Sequence, residues 1–127
     1  MSMIAKSLFV FLAPLVLTGC FTTTELISPM EMSISNEHSR KKVKKAIRAG
    51  AAARGWTISS EKGSTMEARL RVRSHRVGVR IVITDSSLEF YYKNSQNMQY
   101  EDGVIHKKYH VWVDRLQASI REKLSSM

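Results

Sequence analysis

The chain has 127 residues, of which 43% are hydrophobic, 24% charged and 8% aromatic. That length and balance predict one small globular domain and exclude a collagen, a long coiled coil or a disordered chain. Lys and Arg number 20 against 11 Asp and Glu, a formal charge of +9, so partners of the surface are expected to be anionic.

Residues 1–19 read as an address and not as part of the fold. Lys6 is the one charge before the apolar run Leu8 to Leu17, LFVFLAPLVL. A bilayer-spanning helix needs about 20 apolar residues, so this run suits the core of a secretory signal instead. Leu17-Thr18-Gly19-Cys20 follows, and Cys20 is the sole cysteine. This stretch resembles the lipobox of bacterial lipoproteins. The resemblance implies cleavage before Cys20, with diacylglycerol on its thiol and a further acyl chain, such as palmitate, on the new amine. Each buried CH₂ contributes about 0.8 kcal/mol, so several chains on one residue anchor permanently. A lipidated Cys20 leaves no thiol for a disulfide, a metal or catalysis. Phe21 stands where an Asp would imply retention at the inner membrane. The expected location is therefore the periplasmic face of the outer membrane.

Residues 20–35 read as the lipidated Cys and a polar tether carrying Pro29. Leu26, Ile27, Met30, Met32 and Ile34 offer an edge strand as the alternative. The single domain is expected over residues 36–127. Asn36 to Arg54 predicts a helix capped by Ser35 or Asn36 and stopped by Gly55. Its stripe of Val43, Ala46, Ile47, Gly50 and Ala51 is narrow enough for close approach to a sheet. Trp56 to Ser60 predicts a strand, with a turn over residues 61–64.

Three runs of strict alternation follow. Met66, Ala68, Leu70 and Val72 share one face; Val77, Val79, Ile81 and Ile83 share the next; Leu88, Phe90 and Tyr92 share the third. A two-residue loop at Ser74-His75 pairs residue 72 with 77 and 66 with 83. A loop at Asp85-Ser86 pairs 83 with 88 and 79 with 92. One apolar face then runs across all three strands, and a slip of one residue would break it. Residues 94–103 predict a polar loop. Residues 104 or 105 to 124 predict a second helix, with a stripe of Ile105, Tyr109, Trp112, Val113, Leu116, Ile120 and Leu124. The expected fold is α+β and two-layered. It has an antiparallel meander of about four strands, two helices on one face, and order α-β-β-β-β-α.

The other face would be wet. In the expected register Arg69 lies opposite Arg80 and Tyr91, Arg71 opposite Gly78 and Lys93, and Arg73 opposite Arg76. Glu67, Val82 and Glu89 close one end. Like charges facing across a sheet destabilise it. Arg favours forked recognition of phosphate or carboxylate. Arg69, Arg71, Arg73, Arg76, Arg80, Lys93 and Tyr91 are therefore the candidate anion- or partner-binding residues, with Gly78 as a gap for a ligand. The plainer alternative is a solvated sheet whose charges prevent edge association.

The basic stretch from Arg40 to Arg48 predicts a solvated helix face. Nucleic acid is excluded by the export signal and by the lack of paired exposed aromatics for stacking. His106, His110 and Asp114 are spaced for one helix face, but the set lacks a fourth ligand, and a His110–Asp114 pair is the expected arrangement. Trp56 and Trp112 are expected in the core. No nucleophile elbow, Gly-rich phosphate loop or paired carboxylates occur, so neither an enzyme nor a cofactor is expected. A small enzyme or metal protein using His106 and His110 is the weakest reading.

The segments RGWTI, RVRSHRVGVRIVIT, LEFYYKNS and IHKKYHVWVDRLQASI resemble a group of small proteobacterial envelope lipoproteins. The shared positions are Trp56, Ile105, His106, Tyr109 and Trp112, while His110 departs from the group's usual Asn. The resemblance implies the fold and an envelope location, but no activity. The expected function is a non-enzymatic binding or accessory module that engages an anionic envelope component or acidic protein. The alternative is an inhibitor or immunity-type lipoprotein presenting residues 94–103 to an envelope enzyme.

Overall fold

The computed structural model describes residues 22–127. The signal segment and Cys20 lie outside the described residues. Nine elements run in order: β1 (Thr23–Glu25), β2 (Met30–Ser33), α1 (Arg40–Ala53), β3 (Thr57–Lys62), β4 (Thr65–Val72), β5 (His75–Ile83), β6 (Ser87–Gln96), β7 (Val104–His106) and α2 (Lys108–Ser125). β2-β6-β5-β4-β3 form a five-stranded antiparallel sheet, and β1 pairs with β7 in a two-stranded ribbon. The class is α+β, and one core joins the two helices to one face of the sheet. No helix among the described residues is long and apolar enough to cross a membrane.

The alternating runs build that core. Met66, Ala68, Val79, Ile81, Leu88 and Phe90 are buried, as are Ile47, Val113, Leu116 and Ile120 of the helices. Trp56 is buried and Trp112 packs against the cluster, as their positions predict.

The meander gains β2 at one edge, and β1 and β7 add a separate ribbon. Residues 23–25 and 30–33, in the segment read as a tether, pair with β7 and β6. Met32 supplies the reason, since it is buried at 3% exposure when β2 covers β6. The strand following α1 runs to Lys62, two residues further than expected, and turns at Gly63-Ser64. The following strand pair turns at Arg73-Ser74 and not at Ser74-His75, so Val72 pairs with His75 and Leu70 with Val77. The shift is two residues, which keeps every apolar side chain on its face. It places His75 in the strand, where its Nδ1 lies 2.6 Å from the Asn97 carbonyl oxygen and its ring is 5.5 Å from that of His106. The next hairpin has the expected register from Ile83–Leu88 to Val79–Tyr92.

Helix boundaries move for capping reasons. Ser35 Oγ accepts from Glu37 N–H in a turn of its own, so Ser39 becomes the cap and accepts from Lys42 N–H at 3.1 Å. Gly55, at φ +81°, stops the helix as predicted. The second helix starts at Lys108, because residues 104–106 pair with β1. His106 therefore sits on a strand, and its Nδ1 accepts from Lys108 N–H at 3.1 Å to cap the helix from outside.

The small residues of α1 serve a helix contact. A Cβ on Gly50 would lie 2.7 Å from Ile120 Cγ1 and 2.9 Å from Ile120 Cα, and Ser119 Oγ donates to the Gly50 carbonyl at 3.0 Å. Gly50→Val forces two backbones apart. We expect it to lower stability by roughly 1–3 kcal/mol, read as a reduced urea midpoint. An unchanged midpoint would show that the helices can separate freely.

Candidate functional site

The exposed face of the sheet divides into two halves of different electrostatic character. The division follows from the register. Glu67 lies opposite Arg80, which lies opposite Tyr91. Arg69 lies opposite Gly78 and Asn94, and Arg71 lies opposite Arg76 and Gln96. The rows expected from the earlier loop position are thus each displaced on β4.

In one half the charges are matched. Glu67 Oε1 accepts from Lys93 Nζ at 2.8 Å, and Glu67 Oε2 accepts from Arg80 Nε at 3.4 Å. The hydrogen bond from Lys93, and the Arg80 guanidinium beside it, hold the Glu67 carboxyl below the usual carboxylate range. Tyr91 donates to Glu89 Oε1 at 3.1 Å, and this bond pushes its hydroxyl pKa up. Arg80, Lys93 and Tyr91 therefore have partners of their own.

In the other half the cations are unmatched. No ion pair among the described residues includes Arg69, Arg71, Arg73 or Arg76. Arg71 Nε reaches only the Arg73 carbonyl, at 3.3 Å. Arg73 occupies the turn at φ +57°. Arg69, Arg71 and Arg76 line an open cleft of about 490 Å³ with Gly55, Thr57, Asn94 and Gln96. Three forked cations, two amides and a hydroxyl make a donor-rich site for an oxyanion.

Gly78 does not leave a gap for a ligand. A Cβ there would lie 2.5 Å from Asn94 Oδ1, so the Asn94 side chain fills that space. A bulge between Gly78 and Val79 sets this up. It makes Lys93 the extra residue of β6, frees it from the Arg71 row, and brings Asn94 opposite Gly78. Thr57, Asn94 and Gln96 were absent from the sequence candidates. The polar alternation Asn94, Gln96 on the side of β6 beyond Lys93 was their only signal.

His75, His106 and His110 are structural neighbours of this end of the sheet. His106 and His110 do not come together with Asp114, and no group of three His, Cys, Asp or Glu among the described residues could hold a metal ion. His110 Nε2 accepts from Ile27 N–H at 3.0 Å, in place of the expected Asp114 pair. Burial pushes the pKa of both rings below the ordinary value, aided at His106 by His75, Lys107 and Lys108. The loop after β6 spans residues 97–103. Asn97, Gln99 and Asp102 have positive φ, Met98 is buried at 1% exposure, and the exposed Tyr100 stacks on Tyr92 at 4.5 Å.

No family model matches the chain, and no curated protein matches it significantly.

Because His106 and His110 both accept backbone N–H bonds, folding favours their neutral forms. Their folded pKa values lie below the unfolded value of about 6.5, so the stabilisation is complete above that pH. It is lost as pH falls through the folded values. Hydrogen exchange should therefore show protection at Ile27 and Lys108 falling, relative to Leu88, as pH is lowered below about 6.5. Equal loss at all three amides would contradict this assignment.

Proposed function

We propose that this protein is a lipid-anchored envelope module, without enzymatic activity, that binds an anionic group in the Arg69–Arg71–Arg76 cleft. The observation that carries the reading is the Arg71–Arg76 pair. These residues face each other directly across β4 and β5 with no carboxylate beside them. A protein selected only for stability would relieve that repulsion, as Glu67 does two rows away. A bound phosphate or carboxylate relieves it equally well and gains the fork geometry of three guanidinium groups. The lipobox-like Leu17 to Cys20 supports the anchor, and Phe21 supports the outer membrane. The ligand is then an anionic envelope component or an acidic protein surface.

The alternative, an inhibitor or immunity-type lipoprotein, draws on a different observation. Three non-glycine residues in the left-handed region and the buried Met98 give residues 97–103 a fixed shape, with Tyr100 presented at 48% exposure. A pre-shaped loop binds an enzyme cleft without an ordering penalty.

Titration of the protein with lipid headgroup fragments and soluble peptidoglycan fragments separates these readings. Binding to the cleft shifts the backbone amides of residues 69–71, 76 and 94–96, and weakens with salt. The double change Arg71→Glu and Arg76→Glu should reduce affinity at least tenfold, a loss of about 1.4 kcal/mol or more. Arg80→Glu should reduce it less, because Arg80 already has Glu67. Binding unaltered by the double change would reject the cleft as the site. Capture of a one-to-one partner that survives the double change but is lost with Tyr100→Ala would favour the alternative.

A further inference from the structure

We propose that the domain is seated directly on the membrane that carries its lipid, with the Arg cleft opening onto the anionic phospholipid headgroups of that leaflet. The inference rests on the lipid-anchor and anion-cleft readings above, and names the ligand they leave open. Its starting point is that no tether remains. Residue 22 is already fixed to the domain: its carbonyl accepts from Lys107 N–H at 2.9 Å, and Thr22 Oγ1 donates to Gln99 Oε1 at 2.9 Å. From Cys20 to Thr22 there are two Cα–Cα steps, about 7 Å of reach. That is within the Debye length of about 8 Å at physiological salt, so charges near Thr22 are only partly screened from the headgroups.

The second observation is which charges lie there. Asn97 Nδ2 donates to Ser74 Oγ at 2.6 Å, and His75 Nδ1 meets the Asn97 carbonyl oxygen. Thr23 pairs with His106, whose ring is 5.5 Å from that of His75. These contacts place the point of attachment at the same end of the sheet as the Arg73-Ser74 turn. Arg71, Arg73 and Arg76 are at that end, all exposed, and Lys107 and Lys108 beside Thr22 are exposed too. The acidic residues lie at the other end of the three-residue ribbon, about 7 Å further on, where Glu25 pairs with Val104 and Glu101 bridges to Val104. The ribbon is thus basic where the lipid enters and acidic at its other end. Each Lys or Arg near an anionic surface contributes attraction that falls off within a Debye length. Short reach and a cluster of unpaired cations together fix an orientation that neither would fix alone.

The two ends of the sheet can be told apart by labelling. The nine-residue β5 separates them by about 26 Å, at about 3.3 Å per residue. The protein would be produced with its own leader, purified in detergent, and its Cys20 acylation verified by mass spectrometry. Because a lipidated Cys20 offers no free thiol, Ser74→Cys and Lys62→Cys each give a single fluorescent label. Vesicles of phosphatidylethanolamine and phosphatidylglycerol would carry a headgroup quencher. The Ser74→Cys label should be quenched at least threefold more than the Lys62→Cys label. That bias should fall at least twofold with Arg71→Glu plus Arg76→Glu, and on vesicles of phosphatidylcholine alone. Equal quenching at the two positions would overturn the proposal, as would a bias indifferent to the double change or to lipid charge. An unacylated Cys20 would strike the anchor reading itself, and the proposal with it. Failure of the cleft reading would show separately, as no response of residues 69–76 to soluble headgroup fragments.

Discussion

The structure depends on the fact that only one face of its sheet is dry. Two helices are enough to cover one side of five strands, and the alternation of β4, β5 and β6 sorts side chains accordingly. Everything on the opposite side must be reconciled with water or with a partner. The Gly50–Ile120 contact serves the same constraint, because it lets two helices share the dry face without a void. The charged face is therefore a direct product of the core, and its layout is set by the register that the core imposes.

That layout is what the proposed function rests on. Glu67 pairs with both Arg80 and Lys93, while Arg69, Arg71 and Arg76 form no ion pair among the described residues. One carboxylate placed two rows further along the sheet would have quenched the site. The positions of Asn94 and Gln96 reinforce the contrast, because amides can hold an oxyanion in place without cancelling the field of the arginines. The face thus separates cations paired to Glu67 from cations without an ion pair among the described residues.

The periodic parts of this architecture were legible from sequence, and the non-local parts were not. Period-two runs defined three strands and their common face, because a side chain's face depends only on local parity. Parity cannot distinguish a turn at Arg73-Ser74 from one at Ser74-His75. The choice is made by His75 reaching Asn97 and His106, contacts distant in sequence. The Gly78 bulge was hidden for a similar reason, since an extra residue in β6 becomes visible only when two strands are aligned. Residues 104–106 carry an apolar pattern that suits a helix or a strand equally. Pairing with residues 23–25 decides the matter, and no window along the chain contains both. The arginines of the site were legible as residue types on a face. Which of them remain unpaired was settled by a two-residue shift that sequence alone does not report.

The N-terminal strands carry a consequence for the order of events during folding. Met30 pairs with Phe90, and Thr23 with His106, so the first strands to be synthesised meet partners made near the end. Closing such long loops is entropically slower than forming the β4–β5–β6 hairpins, whose partners are adjacent. The segment nearest Cys20 is thus the last to be locked down. Under the proposed lipid anchor, this late strand closure draws the domain to the bilayer only once the meander has formed.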